Sequence, residues 1–515
     1  MERRSQWGWW MLGMALLLAA VGLIAAQPPA ADAGAGIQLI SRGLGGSPAA
    51  GDSRGVDMSG DGRYLVFESD AADLVPGDGN QATDIFLWDA QGGGISRLSA
   101  APGGGDADGA SHTPVISADG RFAAFESQAT NLIGSDVNGV TSDIFLADRQ
   151  TGAISLVTQS TGGVQANSSS FTPAISADGR YVAFASLARN LVISDTNLFI
   201  DIYVRDTVSN TLELVTRGLN GAMTDESSFT PAISADGRYV VYSSGASNLV
   251  PGDTNGVTDI FSYDRQTGET VRLSMGLNGA EANENSYLPD VSGDGRFVGY
   301  TSLATNLVLS DTNDAFDVFL FDRQTGQTER LSVTAQGDEA NGNSVAVRLS
   351  FDGQYATYAS DAANLAGGDN NGQMDIFWLD RGMGELQLVS RSVMGDAGNG
   401  QSVLSQLSND GNMLAFESVA SDLVGDDGNG SQDIFYTVVE SMPPTPTPSP
   451  TATATVPVDL PQFLPLVRAG YPPSYEISGF VRTAAGQPVA NVRVTTGAGR
   501  VAQTDASGAY RFQWL

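Results

Sequence analysis

The sequence predicts an all-β protein: a seven-bladed β-propeller closed by an N-terminal strand, followed by a small β-sandwich that we expect to be truncated. The tripeptide Asp-Gly-Arg, or a near variant, recurs seven times at spacings of 58 residues, once 59. Each period holds four short segments with strand character. Four strands repeated at a fixed period are typical of propeller blades, which bury their faces against one another. The repeated turns begin at Asp61, Asp119, Asp178, Asp236, Asp294, Asp352 and Asp410.

The repeat at 231–275 shows the four strands. Residues 231–234 are mainly apolar, and Asp-Gly-Arg then turns the chain into the aromatic and β-branched segment 238–244. Residues 259–264 alternate in hydrophobicity, and Asp-Arg-Gln-Thr-Gly supplies a hairpin turn whose glycine tolerates positive φ. Residues 269–275 alternate again. The unit therefore predicts four antiparallel strands joined by tight turns or loops.

The two ends of the repeat array predict how the ring closes. Residues 37–43, IQLISRG, match the fourth strand LELVTRG of a later repeat but have no first three strands before them. The last repeat has three strand segments, ending with DIFYTVV at 433–439, and no fourth. Pairing of 37–43 with 433–439 would complete the seventh blade and remove two open sheet edges. We therefore assign residues 37–441 to the propeller.

The repeat SADGRYVAF…DIYVRD and its six relatives resemble the TolB-type (WD40-like) β-propeller repeat. That pattern is a Ser-Pro-Asp-Gly turn, a strand, then Asp-Ile-Tyr and a closing Asp, and here Ala replaces the Pro. The resemblance covers about residues 37–441 and implies the propeller fold. It implies little about function, because proteins with this repeat serve as docking scaffolds and as propeller caps on peptidases.

The segment before the repeats predicts export. Residues 1–36 contain Arg3 and Arg4, then the apolar run Trp7–Ala26, and end in a short linker. This pattern fits a secretory signal peptide, and its length also fits an uncleaved N-terminal anchor. Both alternatives place the remaining chain outside the cytoplasm, either secreted or at the cell surface.

The segment after the repeats predicts a linker and a further module. Residues 442–473 are rich in Pro and Thr and predict an extended linker. Residues 474–515 resemble a carboxypeptidase regulatory-like domain, a small β-sandwich, through their Gly-x-Val, Pro-Val-x-Asn-Val and Thr-Asp-x-x-Gly-x-Tyr elements. That family continues with further strands beyond the last of these elements. We therefore expect a partial module with an unpaired sheet edge.

The composition argues against several classes of function. The sequence has 58 acidic and 26 basic residues and a formal net charge of −32. Binding to nucleic acid, or to membranes beyond the N-terminal anchor, is therefore not expected. There is no Cys and no Lys, which removes thiolate sites and lysine chemistry, and the single His112 rules out a three-histidine zinc site.

Each repeat carries an Asp-x-Asn loop that is closed by a further Asp. The loop resembles the calcium loop of integrin-type propellers but lacks its central Asp-Gly, although calcium takes 6–8 oxygen ligands. The alternative is turn architecture, in which the first Asp and the Asn cap turn amides and the last Asp holds the strand entry. We favour the turn because every blade has it, and we expect no cofactor unless the ion is calcium. The candidate metal ligands are Asp78, Asn80, Asp84, Asp136, Asn138, Asp143, Asp195, Asn197, Asp201, Asp253, Asn255, Asp259, Asp311, Asn313, Asp317, Asp369, Asn371, Asp375, Asp427, Asn429 and Asp433.

Aromatic residues that depart from the repeat are candidates for a ligand site. They stand in two Asp-x-Asn loops and in the stretch before the first strand of four successive blades, where the alternative role is packing between blades. Antiparallel connectivity places both sets of loops on one face, which we expect to be acidic and aromatic. The candidate ligand-binding residues are Phe199, Phe316, His112, Phe171, Phe229 and Tyr287.

The favoured function is a monomeric, non-enzymatic scaffold that binds an extracellular protein, peptide or glycan on this acidic face. One alternative is a carboxylate-based hydrolase, similar to a glycosidase or lactonase. Glu68, Glu126 and Glu417 follow the second-strand aromatic in three blades, and two of them in the central funnel could act as acid and base. Another alternative is a calcium-stabilised surface protein.

Overall fold

The structure is a computed structural model that describes residues 36–439 and four short strands between 476 and 513. The expected signal peptide or anchor and the Pro/Thr-rich linker lie outside the described residues. In the part of the chain that is described, no helix has the length and apolar character needed to cross a bilayer. The chain divides into two compact units, Met1–Ser441 and Met442–Leu515.

The first unit consists of seven four-stranded antiparallel sheets, the blades, preceded in the chain by β1 (Gln38–Leu39). Blade 1 comprises β2 (Ser53–Met58), β3 (Tyr64–Ser69), β4 (Asp84–Asp89) and β5 (Ile95–Arg97), and blade 2 comprises β6 (Ser111–Ile116), β7 (Phe122–Ser127), β8 (Asp143–Asp148) and β9 (Ala153–Leu156). Blade 3 comprises β10 (Ser170–Ile175), β11 (Tyr181–Ser186), β12 (Asp201–Asp206) and β13 (Thr211–Leu214). Blade 4 comprises β14 (Ser228–Ile233), β15 (Tyr239–Ser244), β16 (Asp259–Asp264) and β17 (Glu269–Arg272).

Blade 5 comprises β18 (Ser286–Val291), β19 (Phe297–Ser302), β20 (Asp317–Asp322) and β21 (Gln327–Arg330). Blade 6 comprises β22 (Ser344–Leu349), β23 (Tyr355–Ser360), β24 (Asp375–Asp380) and β25 (Glu385–Leu388). Blade 7 comprises β26 (Ser402–Leu407), β27 (Met413–Ser418) and β28 (Asp433–Val438), together with β1. Single-turn 3₁₀ helices at Leu219–Gly221 and Leu277–Gly279 lie between blades.

The blades form a ring around their first strands. Each first strand, from β2 to β26, contacts the first strand of the next blade, and β26 contacts β2. These strands therefore form the inner wall of a closed ring, which confirms the predicted seven-bladed propeller. The antiparallel order puts the loops entering each first strand and the Asp-x-Asn loops on one face, the loop face. The Asp-Gly-Arg turns lie on the opposite face, the turn face.

Two belts of backbone hydrogen bonds join every blade to its neighbours. On the loop face, the first residue of each first strand donates to the preceding blade, as Ser111 N does to Thr83 O at 2.8 Å. Ser53 N continues this belt to Gln432 O at 2.7 Å, which links blade 1 to blade 7. The turn-face belt runs through the carbonyls of Gly60, Ala118, Ala177, Ala235, Gly293, Phe351 and Asn409.

The core lies within and between the blades. In blade 1, the buried rings of Phe67 and Phe86 on the second and third strands stack with centroids 5.9 Å apart, and blades 2 to 7 have equivalent pairs. The Asp-Gly-Arg turn of the next blade packs against this unit: a Cβ on Gly120 would lie 2.4 Å from the Tyr64 ring, and its φ is +69°. The turn therefore needs glycine for both its backbone conformation and its close packing.

β1 lies antiparallel to β28, with Gln38 opposite Tyr436 and Leu39 opposite Phe435. The sheet of blade 7 therefore has the order β1-β28-β27-β26. The residue after β1, Ile40, is 4 % exposed and packs in a cluster that contains side chains of blades 1 and 7.

The second unit contains two antiparallel strand pairs. β29 (Glu476–Phe480) pairs with β32 (Ala509–Gln513), and β30 (Arg493–Thr495) pairs with β31 (Val501–Gln503). These pairs are all-β, and the carboxypeptidase regulatory-like sandwich stays a prediction.

Candidate functional site

Seven half-buried residues, one near the start of each first strand, form what we call the mouth ring at the loop-face end of the inner wall. Each follows a fully buried serine. The mouth ring consists of Arg54, His112, Phe171, Phe229, Tyr287, Val345 and Val403. The structure thus brings together four of the six predicted ligand residues. Arg54 was not among the predicted ligand residues, although an alignment of Ser53-Arg54-Gly55 with Ser111-His112-Thr113 identifies its position.

The mouth ring is chemically asymmetric. On the second strands, Glu68 lies opposite Arg54 and Glu126 lies opposite His112. Glu417 takes the equivalent second-strand position of blade 7. We call these five residues of blades 7, 1 and 2 the charged arc. Blades 3, 4 and 5 contribute the aromatic arc instead, and their equivalent second-strand residues are small: Ala185, Ser243 and Thr301.

A bulge in the first strands connects the charged arc across blades. The register of β6 shifts between His112 and Val115, and Thr113 has a φ of +47°. This conformation leaves the Thr113 amide outside the ladder of its own blade, and it donates to Glu68 Oε2 of blade 1 at 2.7 Å. The equivalent amide of Gly55 donates to Glu417 Oε2 of blade 7 at 3.0 Å. Both glutamates therefore bind the backbone of the neighbouring blade.

The side chains of the charged arc also contact each other. Arg54 Nε lies 2.9 Å from Glu68 Oε1, and its guanidinium also pairs with Asp70 at 3.0 Å. His112 Nδ1 lies 3.5 Å from Glu68 Oε2. Glu68 is thus contacted through both oxygens, which favours a binding or positioning role over that of a free catalytic base.

Several groups of the charged arc titrate away from their ordinary range. Burial raises the pKa of Glu417 to about 7, and the nearby charge of Glu68 adds to this effect. Burial also raises the pKa of Glu126, and the hydrogen bond to Glu68 raises the pKa of His112. The charge of this arc therefore changes near neutral pH.

The aromatic arc is partly structural. Phe171 and Phe229 pack against the buried cluster that spans blades 3 and 4 while remaining partly exposed. Tyr287 is half-buried in blade 5, and burial raises its pKa. These three rings combine the predicted packing role with an exposed apolar surface at the mouth.

Deeper in the first strands lies a second polar level. Asp57 Oδ2 accepts a hydrogen bond from Ile116 N of the next blade at 2.7 Å, and Asp290 Oδ2 accepts one from Leu349 N at 2.8 Å. Burial raises the pKa of Asp57 to about 6, whereas the charge of Arg348 partly offsets this increase. The inner wall is therefore polar below the mouth ring.

The two remaining predicted ligand residues are not members of the mouth ring. Phe199 and Phe316 are half-buried in the Asp-x-Asn loops of blades 3 and 5. Their backbone groups hold the loops in place through hydrogen bonds. Phe199 N donates to Asn197 Oδ1 at 3.1 Å, and Phe316 O accepts the loop-face belt bond from Ser344 N at 2.6 Å. A ligand-binding role for these two residues stays a prediction.

The Asp-x-Asn loops have the predicted turn architecture. In blade 4, Asn255 Nδ2 donates to Asp259 Oδ2 at 2.9 Å and to Ala282 O at 3.1 Å, and its Oδ1 accepts from Val257 N. The asparagine therefore ties the loop to the strand it precedes and to the loop entering the next blade. The asparagines of blades 1, 2, 5, 6 and 7 donate in the same way.

In three blades, an arginine sits among the predicted metal ligands. The oxygens of Asp311, Asp317 and Glu339 lie within 4.8 Å of one another, as metal ligands do. Arg330 Nη1, however, lies 3.3 Å from Asp317 and 2.5 Å from Glu339. Arg97 and Arg272 occupy the same place in blades 1 and 4. A guanidinium already neutralises these three clusters.

The two faces of the ring differ in their exposed surface. On the turn face, the turn arginine pairs with the Asp that ends the third strand in five blades, as Arg63 does with Asp89 at 2.9 Å. The arginines therefore offset the charge of these aspartates on the turn face. On the loop face, the Asp-x-Asn loops present five apolar side chains that are at least 76 % exposed, whereas the turn face exposes Val208 and Met383. The five are Val137, Val140, Ile193, Leu198 and Leu309.

A cleft of about 610 Å³ lies away from the mouth ring, between blades 7 and 1. Its lining includes Ile37 to Ile40 of the N-terminal segment, Trp88 and Ile95 of blade 1, and Val424 of blade 7. None of the predicted ligand or metal residues lines this cleft.

No family model and no curated protein matches the chain. Among solved structures, it is similar to TolB from Agrobacterium tumefaciens, with 18 % identity over 54 % of this chain and 79 % of that chain and a TM-score of 0.34. It is similar to the β-propeller domain of the Trilobed protease from Pyrococcus furiosus, with 11 % identity, 76 % and 93 % coverage and a TM-score of 0.46. It is also similar to TolB from Acinetobacter baumannii, with 17 % identity over 75 % of this chain and 78 % of that chain and a TM-score of 0.33. The fold assignment therefore rests on the strand order and register of the chain itself.

Proposed function

We propose that this protein is an extracytoplasmic, non-enzymatic scaffold that binds a protein or peptide on its loop face. The observation that carries the proposal is the asymmetric mouth ring, in which a charged arc faces an aromatic arc at one level of a sevenfold repeat. A feature that every blade needs for folding recurs in every blade, whereas a binding site breaks the repeat. The export pattern in residues 1–36 supports the location.

The surroundings of the mouth ring support a macromolecular ligand. Exposed apolar side chains on the adjoining loops provide surface that a partner would remove from water. The acidic groups of the same face would favour basic residues of the partner and steer its approach. Aromatic residues and Arg are enriched in protein interfaces, and the mouth ring contains both.

The hydrolase alternative receives less support from the contacts. Glu68 and Glu417 both accept backbone amides of the neighbouring blade, so each has an interblade role. Glu68 is further held by Arg54. A catalytic pair would instead need one carboxylate oxygen directed at the substrate.

The test is a screen of the purified full chain against extracellular proteins, peptides and glycans, followed by variants on both faces. The loop-face variant replaces Ile193, Leu198 and Leu309 with Ser, and the matched turn-face variant replaces Val208 and Met383, which are 77 % and 63 % exposed. We expect the loop-face variant to lose at least tenfold in affinity for any partner found, and the turn-face variant to keep it. Loss of binding in the turn-face variant alone would refute the assignment of the binding face.

We also propose that β1 acts as the closing strand of the ring, on which the geometry of the mouth ring depends. The pairing of β1 with β28 and the burial of Ile40 between blades 7 and 1 support this role. Closed sheets avoid open edges that promote association, so closure also supports a monomer.

A further inference from the structure

In the Asp-x-Asn loops of blades 1, 2, 4 and 5, the first and the last Asp place their carboxylates around one shared donor. In blade 4, Arg272 Nη1 lies 2.9 Å from Asp253 Oδ1 and 3.2 Å from Asp259 Oδ2. A single cationic nitrogen thus touches both the first and the last Asp of the loop. Glu281, from the loop entering blade 5, contacts the same nitrogen at 2.9 Å. The geometry shows that the two aspartates converge on a point where positive charge is stabilised.

The residue that delivers this nitrogen varies between blades. Arginine occurs opposite the third-strand aromatic in blades 1, 4 and 5 as Arg97, Arg272 and Arg330. The other four blades have leucine at this register position: Leu156, Leu214, Leu388 and Leu39. The glutamate that pairs with the arginine is also missing where the arginine is replaced: Ala397 in blade 6 and Pro48 in blade 7 stand at the position of Glu281.

Blades 2 and 3 replace the arginine with neutral donors. In blade 2, Gln165 Nε2 donates to Asp136 Oδ1 at 2.8 Å and to Asp143 Oδ2 at 3.0 Å. In blade 3, the hydroxyl of Tyr203 donates to Asp195 Oδ2 at 2.6 Å, and Thr224 donates to the last Asp of that loop. Five of the seven loops therefore receive, at their first Asp, a donor from outside the loop.

Blade 6 lacks such a donor at its first Asp. Asp369 is 2 % exposed, and its Oδ2 is buried without a hydrogen-bond partner. Asp375 is fully buried and accepts only neutral donors, Ser390 at 2.6 Å and Asn371 at 2.7 Å. Within residues 36–439, no arginine pairs with either carboxylate. Leu388 occupies the arginine position.

Blade 7 repeats this arrangement. Asp427 is 9 % exposed and its Oδ1 is buried without a partner, while Asp433 is fully buried and bonded to Ser41 and Asn429. Arg42 is nearby, but its guanidinium makes a two-point contact with Asp426 at 2.7 and 2.9 Å.

We propose that the loops of blades 6 and 7 bind calcium, each through the pair Asp369 and Asp375 or Asp427 and Asp433, in the position that an arginine occupies in blades 1, 4 and 5. Two observations support each site: within residues 36–439 no side chain from outside the loop donates to its first Asp, and one oxygen of that Asp is buried without a partner. Blade 3 shares only the second feature, because Asp195 Oδ1 and Asp201 Oδ2 are also buried without a partner but Tyr203 donates to Asp195. The remaining five loops are expected not to bind metal. Of the twenty-one candidate ligands predicted from the sequence, four acidic residues therefore remain.

The ligand chemistry selects the ion. The side-chain ligands of the two proposed sites are carboxylate oxygens, which suit calcium and magnesium rather than zinc or copper. The asparagine oxygens of these loops already accept turn amides, from Gln373 N and Ser431 N. Calcium tolerates irregular geometry and accepts backbone carbonyls and water in addition to two carboxylates, whereas magnesium requires near-ideal octahedral coordination. The competing explanation is a proton held by each pair, because burial raises the pKa of Asp375 to about 6 and that of Asp427 to about 7.

The experiment is a calorimetric titration of the EDTA-treated, full-length protein with calcium chloride at neutral pH. We expect two sites per chain. Asp369→Asn and Asp427→Asn should each remove one site, or weaken it at least tenfold, because a carboxylate ligand is lost with little change of shape. The matched control is Asp253→Asn, the same position in a loop that contains Arg272, and it should leave both sites intact.

A second variant keeps the test independent of the carboxylates. Leu388→Arg introduces in blade 6 the guanidinium that blades 1, 4 and 5 carry, and it should abolish that site while leaving blade 7 unchanged. Circular dichroism establishes that each variant is folded. The proposal is overturned if the folded protein does not bind calcium, if Asp369→Asn leaves the stoichiometry unchanged, or if Asp253→Asn removes a site.

Discussion

The role of β1 as the closing strand can be tested by one substitution in the residue that follows it. Ile40 is 4 % exposed, and its amide donates to Ile434 O of β28 at 2.8 Å. Leu273 holds the same repeat position in blade 4, where all four strands are consecutive, and it is 2 % exposed. Both amides bond to the third strand of their blade, since Leu273 N donates to Ile260 O of β16 at 2.7 Å. Leu273→Ala is therefore a matched control for Ile40→Ala.

The expected magnitude follows from the burial of these two side chains. Truncating a fully buried Leu or Ile to Ala costs about 2–5 kcal/mol, including the cavity that remains. Unfolding entropy is roughly 2.1 cal/mol/K per residue, so a unit of roughly 400 residues changes by about 0.8 kcal/mol per degree. Each variant should therefore melt about 2–6 °C below the wild type, provided that the ring unfolds cooperatively.

The assay is calorimetric melting of the full-length variants, with light scattering to follow association. If β1 closes the ring, Ile40→Ala should lose at least half as much stability as Leu273→Ala. Deleting residues 37–43 should lower the melting temperature further and promote self-association, because the edge of β28 becomes open. A wild-type melting temperature for Ile40→Ala, beside a clear loss for Leu273→Ala, would refute the closing role.

Three further predictions concern the charged arc and the turns. Burial raises the pKa of Glu417 from 4.5 to about 7, so its stabilising effect is complete below about pH 4.5 and is lost as the pH rises through about 7. Glu417→Gln should therefore remove about 3 kcal/mol of pH dependence from the stability between about pH 5 and 8, as measured by melting temperature; an unchanged pH profile would contradict this. Gly120→Ala should destabilise the ring by at least about 2 kcal/mol more than Gly152→Ala, as measured by chemical denaturation. Both glycines have positive φ, but only a Cβ on Gly120 meets a neighbour, the Tyr64 ring at 2.4 Å. His112→Phe should keep the melting temperature within about 2 °C, since its ion pair is partly exposed, and should not alter turnover of glycosides or lactones; loss of turnover in this folded variant would contradict the non-enzymatic function.

The sequence by itself determined the seven-bladed ring and the positions of its candidate ligand residues. The period of 58 residues gave seven blades, because each repeat encodes four local strands and the turns between them, and such signals need no knowledge of distant contacts. The same reasoning selected His112 and the aromatic arc as ligand candidates, since a change in one copy of a repeat is visible by alignment, and their binding role stays a prediction. It also identified the turn role of the Asp-x-Asn loops, because Asx turns are local.

Only the tertiary structure decided which charges meet. Glu68 accepts the amide of Thr113, 45 residues later in the next blade, and that contact exists because a bulge frees the amide at the blade interface. Arg272 and Leu388 occupy one repeat position, yet the sequence does not show that this position reaches the aspartates of the preceding loop. Both facts depend on strand register and on packing between blades, which are non-local. The periodicity of a sequence specifies each blade, whereas the chemistry between blades emerges when they are assembled.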